Sequence, residues 1–500
     1  MDIMICILIA VFTFIFIQAL RSFYGRSGGG NHRLPPGPSP LPVIGNLLEL
    51  GDKPHKSLAK LAKTYGPIIS LRLGQVTTVV VSSVDMAKGV LSTHDQFLSD
   101  RTVPDAMKAA NHDEYSLSFL PVALHWRSLR KLCNNQLFGH KVLDASQDMR
   151  RNKVQQLLQE LEHCSVAGQA VDIGEAAFKT TLNLLSNTIF SVDLIQSTGT
   201  AGELRETVAG IMKELGTPNV ADYFPVLKKF DPQGVRRRTT IHFSKMLDVF
   251  HDLVSQRKKL REKTCSLTNN DILDVLLSEE NREVMQGKRI QHLSLDLFAA
   301  GTDTSTSTLE WGMAELLRNP RAMSKAKAEL EENIGRGKPV EESDIARLPY
   351  LQAVLKETFR LHPPVPFLLP RKAEKDVDLG GYIIPKGAQI LVNVWAIGRD
   401  ASIWENPEEF MPERFMGSEI DVKGRNFELL PFGAGRRLCP GYPLAIRMLF
   451  LMLGTLVNCF DWQLTGGMKA EEMDMNDKFG ITLEKAHPVM AVPHRVGNHC

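Results

Sequence analysis

The feature that most limits how this chain can fold is its first apolar run. Residues 3–20, IMICILIAVFTFIFIQAL, carry no charge. As a helix these 18 residues rise about 27 Å, close to the hydrocarbon thickness of a bilayer. Asp2 precedes the run and Arg21, Arg26 and Arg33 follow it, a pattern unlike a cleaved secretory signal. The arginines direct the rest of the chain to the cytoplasmic side, with the N-terminus lumenal. Burial of the same run as a core helix is the alternative. We therefore expect a membrane anchor over 1–20 and a linker and proline hinge over 21–42. In that linker GRSGGGNHR is flexible and LPPGPSPLP is stiff and polyproline-like. The body, 43–500, shows no further linker, repeat or low-complexity tract and reads as one domain.

A hydrophobic content of 43% supplies a large core for that body. The formal net charge of +2 comes from dispersed residues and gives no nucleic-acid surface. Seven cysteines, Cys6, Cys133, Cys164, Cys265, Cys439, Cys459 and Cys500, are odd in number and contain no C-x-x-C pair. That argues against zinc or a disulfide framework and for reduced thiols facing the cytosol. GPIISLRLG and TTVVVSS, separated by Gly74-Gln75, predict a hairpin over 68–81. GYIIPKGAQILVNVW predicts a second strand pair turning at Pro385-Lys386-Gly387. Between them helical periodicity dominates, as in NKVQQLLQELEHC and MSKAKAELEENI. The expected fold is mainly α with small β-sheets. The charged stretch 256–288 reads as a solvated loop flanking short helices.

One helix is predicted from near Ile290 to Asn319-Pro320, and it contains LDLFAAGTDTSTSTLEW. Leu297, Ala300, Gly301, Thr304 and Thr308 share one face of it. Ala300 and Gly301 would let a broad, flat group approach the backbone, although a close helix crossing asks for the same small residues. Threonine hydroxyls there can bond the i−4 carbonyl, and Asp303 beside Thr304 could relay protons. Glu357 and Arg360 in KETFR lie one turn apart, and Arg414 in FMPERF could complete a buried ionic network with them. Trp126 and Arg130 in HWRSLRK, Arg371, and Arg437 offer an indole N–H and three guanidiniums to paired carboxylates.

FGAGRRLCPG, residues 432–441, is not a dinucleotide loop, because the third glycine position of G-x-G-x-x-G is Leu438. A lone cysteine in a loop is ordinarily just buried. Here Cys439 stands at the start of a predicted helix, with Arg436 and Arg437 beside it and Gly433, Gly435 and Gly441 giving close backbone approach. The helix dipole and the arginines would favour its thiolate. A flat, iron-bearing macrocycle with two propionates, held between the small-residue helix and the cysteine, accounts for all these parts; a thiolate donates density to such an iron and favours O–O cleavage.

At this point the motifs match a known family. FGAGRRLCPG resembles the haem-binding signature of cytochrome P450 monooxygenases, and AGTDTS resembles their oxygen-activation motif. ETFR, PERF and WRSLR match their remaining landmarks in order. The resemblance runs from about Leu34 to Val496. In GDKPHKSLAKLAKTYGPI, LHPPVPFLLPRKAE, LVNVWAIGRD and MNDKFGITLEKAHP it is similar to plant microsomal enzymes of the geraniol 8-hydroxylase type.

The resemblance implies haem b with Cys439 as axial ligand. It gives Trp126, Arg130, Arg371 and Arg437 to the propionates, Asp303 and Thr304 to proton delivery, and Glu357, Arg360 and Arg414 to the scaffold. By analogy Phe119, Leu297, Phe298, Ala300, Val365, Phe367, Leu369, Phe479 and Ile481 line the substrate site. It further implies O2 as co-substrate and NADPH electrons from a separate P450 reductase, for which Arg127, Lys131 and Arg436 are docking candidates. The expected protein is a single-pass enzyme of the endoplasmic reticulum membrane that hydroxylates a monoterpene alcohol such as geraniol at its C8 allylic methyl. A larger terpenoid or an aromatic substrate is an alternative. An oxygen-independent isomerase would need no proton relay, so the Asp303-Thr304 pair argues against it, and a non-catalytic haem protein is the rival from another class.

Overall fold

A helix of 30 residues, Arg289–Arg318, crosses the middle of the protein. It ends where Asn319-Pro320 predicts: Asn319 leaves helical geometry and Pro320, which has no N–H to leave unpaired, opens the helix Pro320–Asn333. Leu309, Trp311, Met313 and Leu316 of the central helix are wholly buried. Around it pack the helices Ile173–Phe190, Pro349–Leu361, Tyr442–Cys459 and Val235–Thr264. Where three of these meet, Phe190, Phe250 and Phe298 stack with centroids 5.5, 6.0 and 5.0 Å apart. Such pairs contribute about 0.5–1.5 kcal/mol each beyond area burial.

The computed structural model describes Thr13 and residues 34–195, 201–264, 271–278, 281, 283–285 and 287–497. Apart from Thr13, the expected anchor lies outside these residues, as do Cys6, Cys265 and Cys500. Among the described residues one helix, Tyr442–Cys459, is long and apolar enough to cross a membrane, with mean hydropathy 1.5, but most of it is buried in the core. The proline segment expected as a spacer is docked on the body: Ser70 donates to the Pro36 carbonyl at 2.9 Å through its amide and to Pro35 at 2.6 Å through its hydroxyl.

The largest sheet runs in the order Ile68–Leu73, Val76–Val81, Gln389–Val392, Arg371–Lys372, Asp100–Arg101. The hairpin predicted over 68–81 is present, with Ile68 opposite Val81 and Gly74 at φ 57° in the turn. The second predicted pair is not a hairpin. Gly387, at φ 83°, turns the chain as expected, yet Tyr382–Ile384 folds back on Val377–Leu379 while Gln389–Val392 pairs in parallel with Val76–Val81. Ile390, Leu391 and Val392 are consecutive and all buried, the pattern of an interior strand and not of a two-faced hairpin arm. The stretch 256–288 also departs from its expectation. It begins inside the helix Val235–Thr264, where buried Arg257 donates to both carboxylate oxygens of Asp271, at 2.8 and 2.7 Å, and to the Phe190 carbonyl at 3.0 Å.

Candidate active site

The cysteine segment is shaped by two glycines in the left-handed region. Gly433 (φ 68°) and Gly435 (φ 69°) fold it so that the Cys439 amide donates to the Phe432 carbonyl at 3.0 Å. At Gly435 a Cβ would stand 2.1 Å from the Leu91 carbonyl oxygen, so no side chain fits. Burial dominates and raises the Cys439 thiol, while the Gly441 N–H, the charge of Arg130 and the Tyr442 N–H pull it part of the way back. This corrects the sequence expectation in two respects. The helix begins at Tyr442, three residues later, and the charge acting on the sulfur belongs to Arg130. Arg436 turns to Asp95, which its amide meets at 2.8 Å, and Arg437 turns to the carbonyls of Ser99 and Leu120 at 2.9 and 2.5 Å.

Arg371 and Arg437 come together with a residue the sequence reading missed, Arg101. Arg101 and Arg371 stand directly opposite each other in the sheet, a like-charged pairing that is unfavourable by itself. Both are buried, as is Arg437. Burial, then repulsion from Arg371 and Arg437, lowers the Arg101 guanidinium well below its ordinary range. Burial and Arg371 bring Arg437 to about 10. Asp95 is the carboxylate in contact with the cluster, 2.8 Å from Arg371; the other partners are neutral carbonyls, which orient guanidiniums without neutralising them. The Arg130 side chain has no hydrogen-bond partner among the described residues. Cationic excess in a dry place suits a dianion such as a pair of propionates. Trp126 differs from expectation: its indole N–H donates to the Leu117 carbonyl at 3.0 Å, and its ring lies 4.7 Å from the Arg437 guanidinium.

On the central helix Ala300 is exposed, between the buried residues Phe298 and Thr302, and Thr304 is half-buried. The Thr304 hydroxyl donates to the Ala300 carbonyl at 2.7 Å, and that of Thr308 to Thr304 at 2.8 Å. Gly301 belongs elsewhere. A Cβ there would meet Leu185 Cδ1 at 2.9 Å, so this glycine serves the crossing with Ile173–Phe190 and not a flat ligand. Burial, then the Glu484 carboxylate, pushes Asp303 up to about 6.

Of the apolar residues assigned to the substrate site, Phe119, Leu297, Leu369 and Ile481 join one hydrophobic cluster. Phe367 and Phe479 meet edge-on at 6.0 Å, and Phe479 also stacks on His55. Val365 lies in the loop tied to the 477–485 hairpin by the Leu483 amide on the Pro364 carbonyl at 2.8 Å. Phe298 belongs to the same hydrophobic cluster, with its ring fully buried in the Phe190–Phe250 stack. The scaffold residues do come together. Glu357 receives two bonds of 2.7 Å from Arg360 and one of 3.0 Å from Arg414, and Arg360 also donates to the Gly398, Pro407 and Glu409 carbonyls.

Sequence reasoning also missed Asp296, whose oxygens accept from the Leu117 amide at 2.6 Å, the Ser116 hydroxyl at 2.7 Å and His112 at 3.1 Å. His112 in turn faces His292, ring nitrogen to ring nitrogen, at 2.8 Å. This network holds the segment bearing Phe119 against the central helix. Its spacing, with partners some 180 residues apart, leaves no local motif.

The chain matches the cytochrome P450 family model over residues 35–489. It is 54% identical to geraniol 8-hydroxylase of Swertia mussotii over 485 residues, 96% of this chain and 97% of that protein. To geraniol 8-hydroxylase of Catharanthus roseus it is 54% identical over 486 residues, 97% of this chain and 98% of that one. To drimenol monooxygenase of Persicaria hydropiper it is 52% identical over 490 residues, 97% of each. With a glycine-shaped cysteine loop, a buried cationic cluster and end-to-end similarity of this kind, the chain belongs to the cytochrome P450 family, monooxygenases that use a haem iron held by a cysteine thiolate.

Proposed function

We propose that this chain is a membrane-anchored terpenoid hydroxylase acting on a monoterpene alcohol, geraniol at its C8 allylic methyl being the first candidate. The overall change is balanced as substrate, O2, NADPH and a proton giving hydroxylated product, water and NADP+. Haem bound through Cys439 supplies the chemistry of oxygen activation. Around it, Arg130, Arg371, Arg437 and Arg101 hold the propionates, Trp126 backs Arg437, and Asp303 passes protons to the Thr304 hydroxyl. Phe119, Leu297, Ala300, Val365, Phe367, Leu369, Phe479 and Ile481 exclude water and orient an apolar chain. The observation that carries the reading is the buried cluster of Arg101, Arg371 and Arg437, which among the described residues outnumbers the carboxylates acting on it, Asp95 and Asp100, beside a cysteine loop whose backbone N–H groups stabilise a thiolate.

The anchor over 1–20, the hinge over 21–42 and the catalytic body over 43–500 belong to the same proposal, with the body on the cytoplasmic face of the endoplasmic reticulum. Exposed Leu41, Leu48, Val226 and Phe230 support it, because Leu47 and Leu50 beside the first pair and Tyr223 near the second pack against one hydrophobic cluster, which joins the two apolar segments. Electrons come from a separate NADPH-dependent reductase docked near Arg127, Lys131 and Arg436.

The similarity to a drimenol monooxygenase favours a second reading, a larger terpenoid alcohol. Membranes carrying this chain and a plant P450 reductase, incubated with geraniol, drimenol and an aromatic ether, separate the two. NADPH-dependent 8-hydroxygeraniol is expected. Oxidation of drimenol with geraniol untouched would overturn the substrate, and NADPH-independent turnover would overturn the monooxygenase mechanism.

A further inference from the structure

The hairpin made by Asp477–Lys478 and Glu484–Lys485 reaches across to the central helix at a fixed register. Ser307 and Trp311, one helical turn apart, both donate to the Leu483 carbonyl, at 2.8 and 3.1 Å. One turn before Ser307 on the same stripe stands Asp303. The residue before Leu483 is Thr482, and its hydroxyl lies beside the Asp303 carboxyl without forming a well-aligned bond. Both Thr482 Oγ1 and Asp303 Oδ2 are buried and unpartnered. From Thr482 the strand runs outward to Glu484, which pairs with Lys478 at 3.0 Å; Lys478 is 65% exposed. The charged groups acting on Asp303 among the described residues are this Glu484 and Lys478.

We propose that Thr482 and Glu484 form the outer half of the proton route, connecting solvent to Asp303 and so to Thr304. The inference rests on the proposed roles of Asp303 and Thr304. Each turnover consumes protons from solution, and Asp303, once it has passed one to the Thr304 hydroxyl, must recover one from a side that reaches water. Glu484, paired with Lys478 at the wet end of the hairpin, takes a proton from solvent and passes it through an intervening water to the Thr482 oxygen, and the Thr482 hydroxyl releases its own proton to Asp303. No atom is gained or lost along the chain. Thr482 and Glu484 are therefore positioning residues, acting through Asp303. The same hairpin carries Phe479 and Ile481, so proton supply and substrate contact move on one element.

The test reads Asp303 directly. Infrared titration of the holoenzyme follows its carboxyl band, identified by its disappearance in Asp303→Asn. Glu484→Gln removes a like charge acting on Asp303 and should lower the midpoint, by on the order of half a pH unit for one charge in partly wet protein. Lys478→Gln should raise it, and Thr482→Val should raise it too, with Thr482→Ser restoring it. Product formed per NADPH should fall at least twofold in Glu484→Gln and Thr482→Val, with peroxide rising and the solvent isotope effect increasing. The substrate-induced spectral shift should stay unchanged. An Asp303 midpoint unmoved by all three removals, or unchanged coupling while Thr304→Ala uncouples, would overturn the route. If Thr304→Ala itself leaves coupling intact, the Asp303-Thr304 assignment fails instead and takes this inference with it.

Discussion

Gly301→Ala distinguishes the two uses of a small residue on the central helix. An alanine there gains about 1 kcal/mol of helix propensity over glycine. Its methyl would lie 2.9 Å from Leu185 Cδ1, closer than real contacts allow, and overpacking of this kind costs about 1–3 kcal/mol. The net expectation is a destabilisation of about 0–2 kcal/mol with normal haem content. Leu185→Ala alone should cost about 2–5 kcal/mol, since Leu185 is 5% exposed in the main cluster. In that background the new methyl has room, and Gly301→Ala should become stabilising by about 1 kcal/mol, leaving a coupling of about 1–3 kcal/mol between the two sites. Chemical unfolding of the detergent-solubilised chain, followed by loss of helical circular dichroism, measures all four corners of the cycle. Additive effects within about 0.5 kcal/mol, or selective loss of haem in Gly301→Ala, would refute the helix-crossing argument and return this glycine to the ligand.

Three further outcomes are expected. Thr304→Ala should divert reducing equivalents into peroxide and lower product per NADPH severalfold, read by parallel peroxide and product assays; unchanged coupling removes it from proton delivery. Arg101→Gln relieves the pairing opposite Arg371, so the haem-free protein should be as stable as wild type or more so, while haem loss to an acceptor protein accelerates about tenfold, the equivalent of about 1.4 kcal/mol. Burial, which outweighs the Val489 amide bond, raises Glu310 from 4.5 to about 7. A raised carboxyl contributes stability that is complete below its unfolded value and lost as pH rises through its folded value. Unfolding free energy should thus fall by on the order of 1–2 kcal/mol between pH 5 and 8, and Glu310→Gln should flatten that fall.

Much of this protein is written locally. The stop of the central helix at Asn319-Pro320, the hairpin at Gly74 and the Glu357–Arg360 pair each depend on neighbours within a few residues, where backbone sterics and helical spacing act. Arg414 was reachable because a cationic side chain in an apolar, proline-bounded loop needs a partner. Arg101, Asp296 and Thr482 were not legible, since their meaning comes from partners more than 170 positions away: a sheet register opposite Arg371, a carboxylate on another helix, a hairpin pinned by Leu483. Gly301 was misassigned for a related reason. Helical spacing says which residues share a face, but only the crossing of Ile173–Phe190 decides which neighbour that face meets. The second strand pair failed because the turn at Gly387 fixes a reversal of direction and not the partner that follows it.

The most direct measurement is the carbon monoxide difference spectrum of the reduced full-length protein, taken alongside Cys439→Ser and Cys439→His. The account predicts the absorption of a thiolate-ligated haem in the native chain and its loss in both variants, with helical content retained. A native, folded chain giving the band of an imidazole-ligated iron, or a thiolate band that survives in Cys439→Ser, would contradict the assignment on which the rest of the account stands.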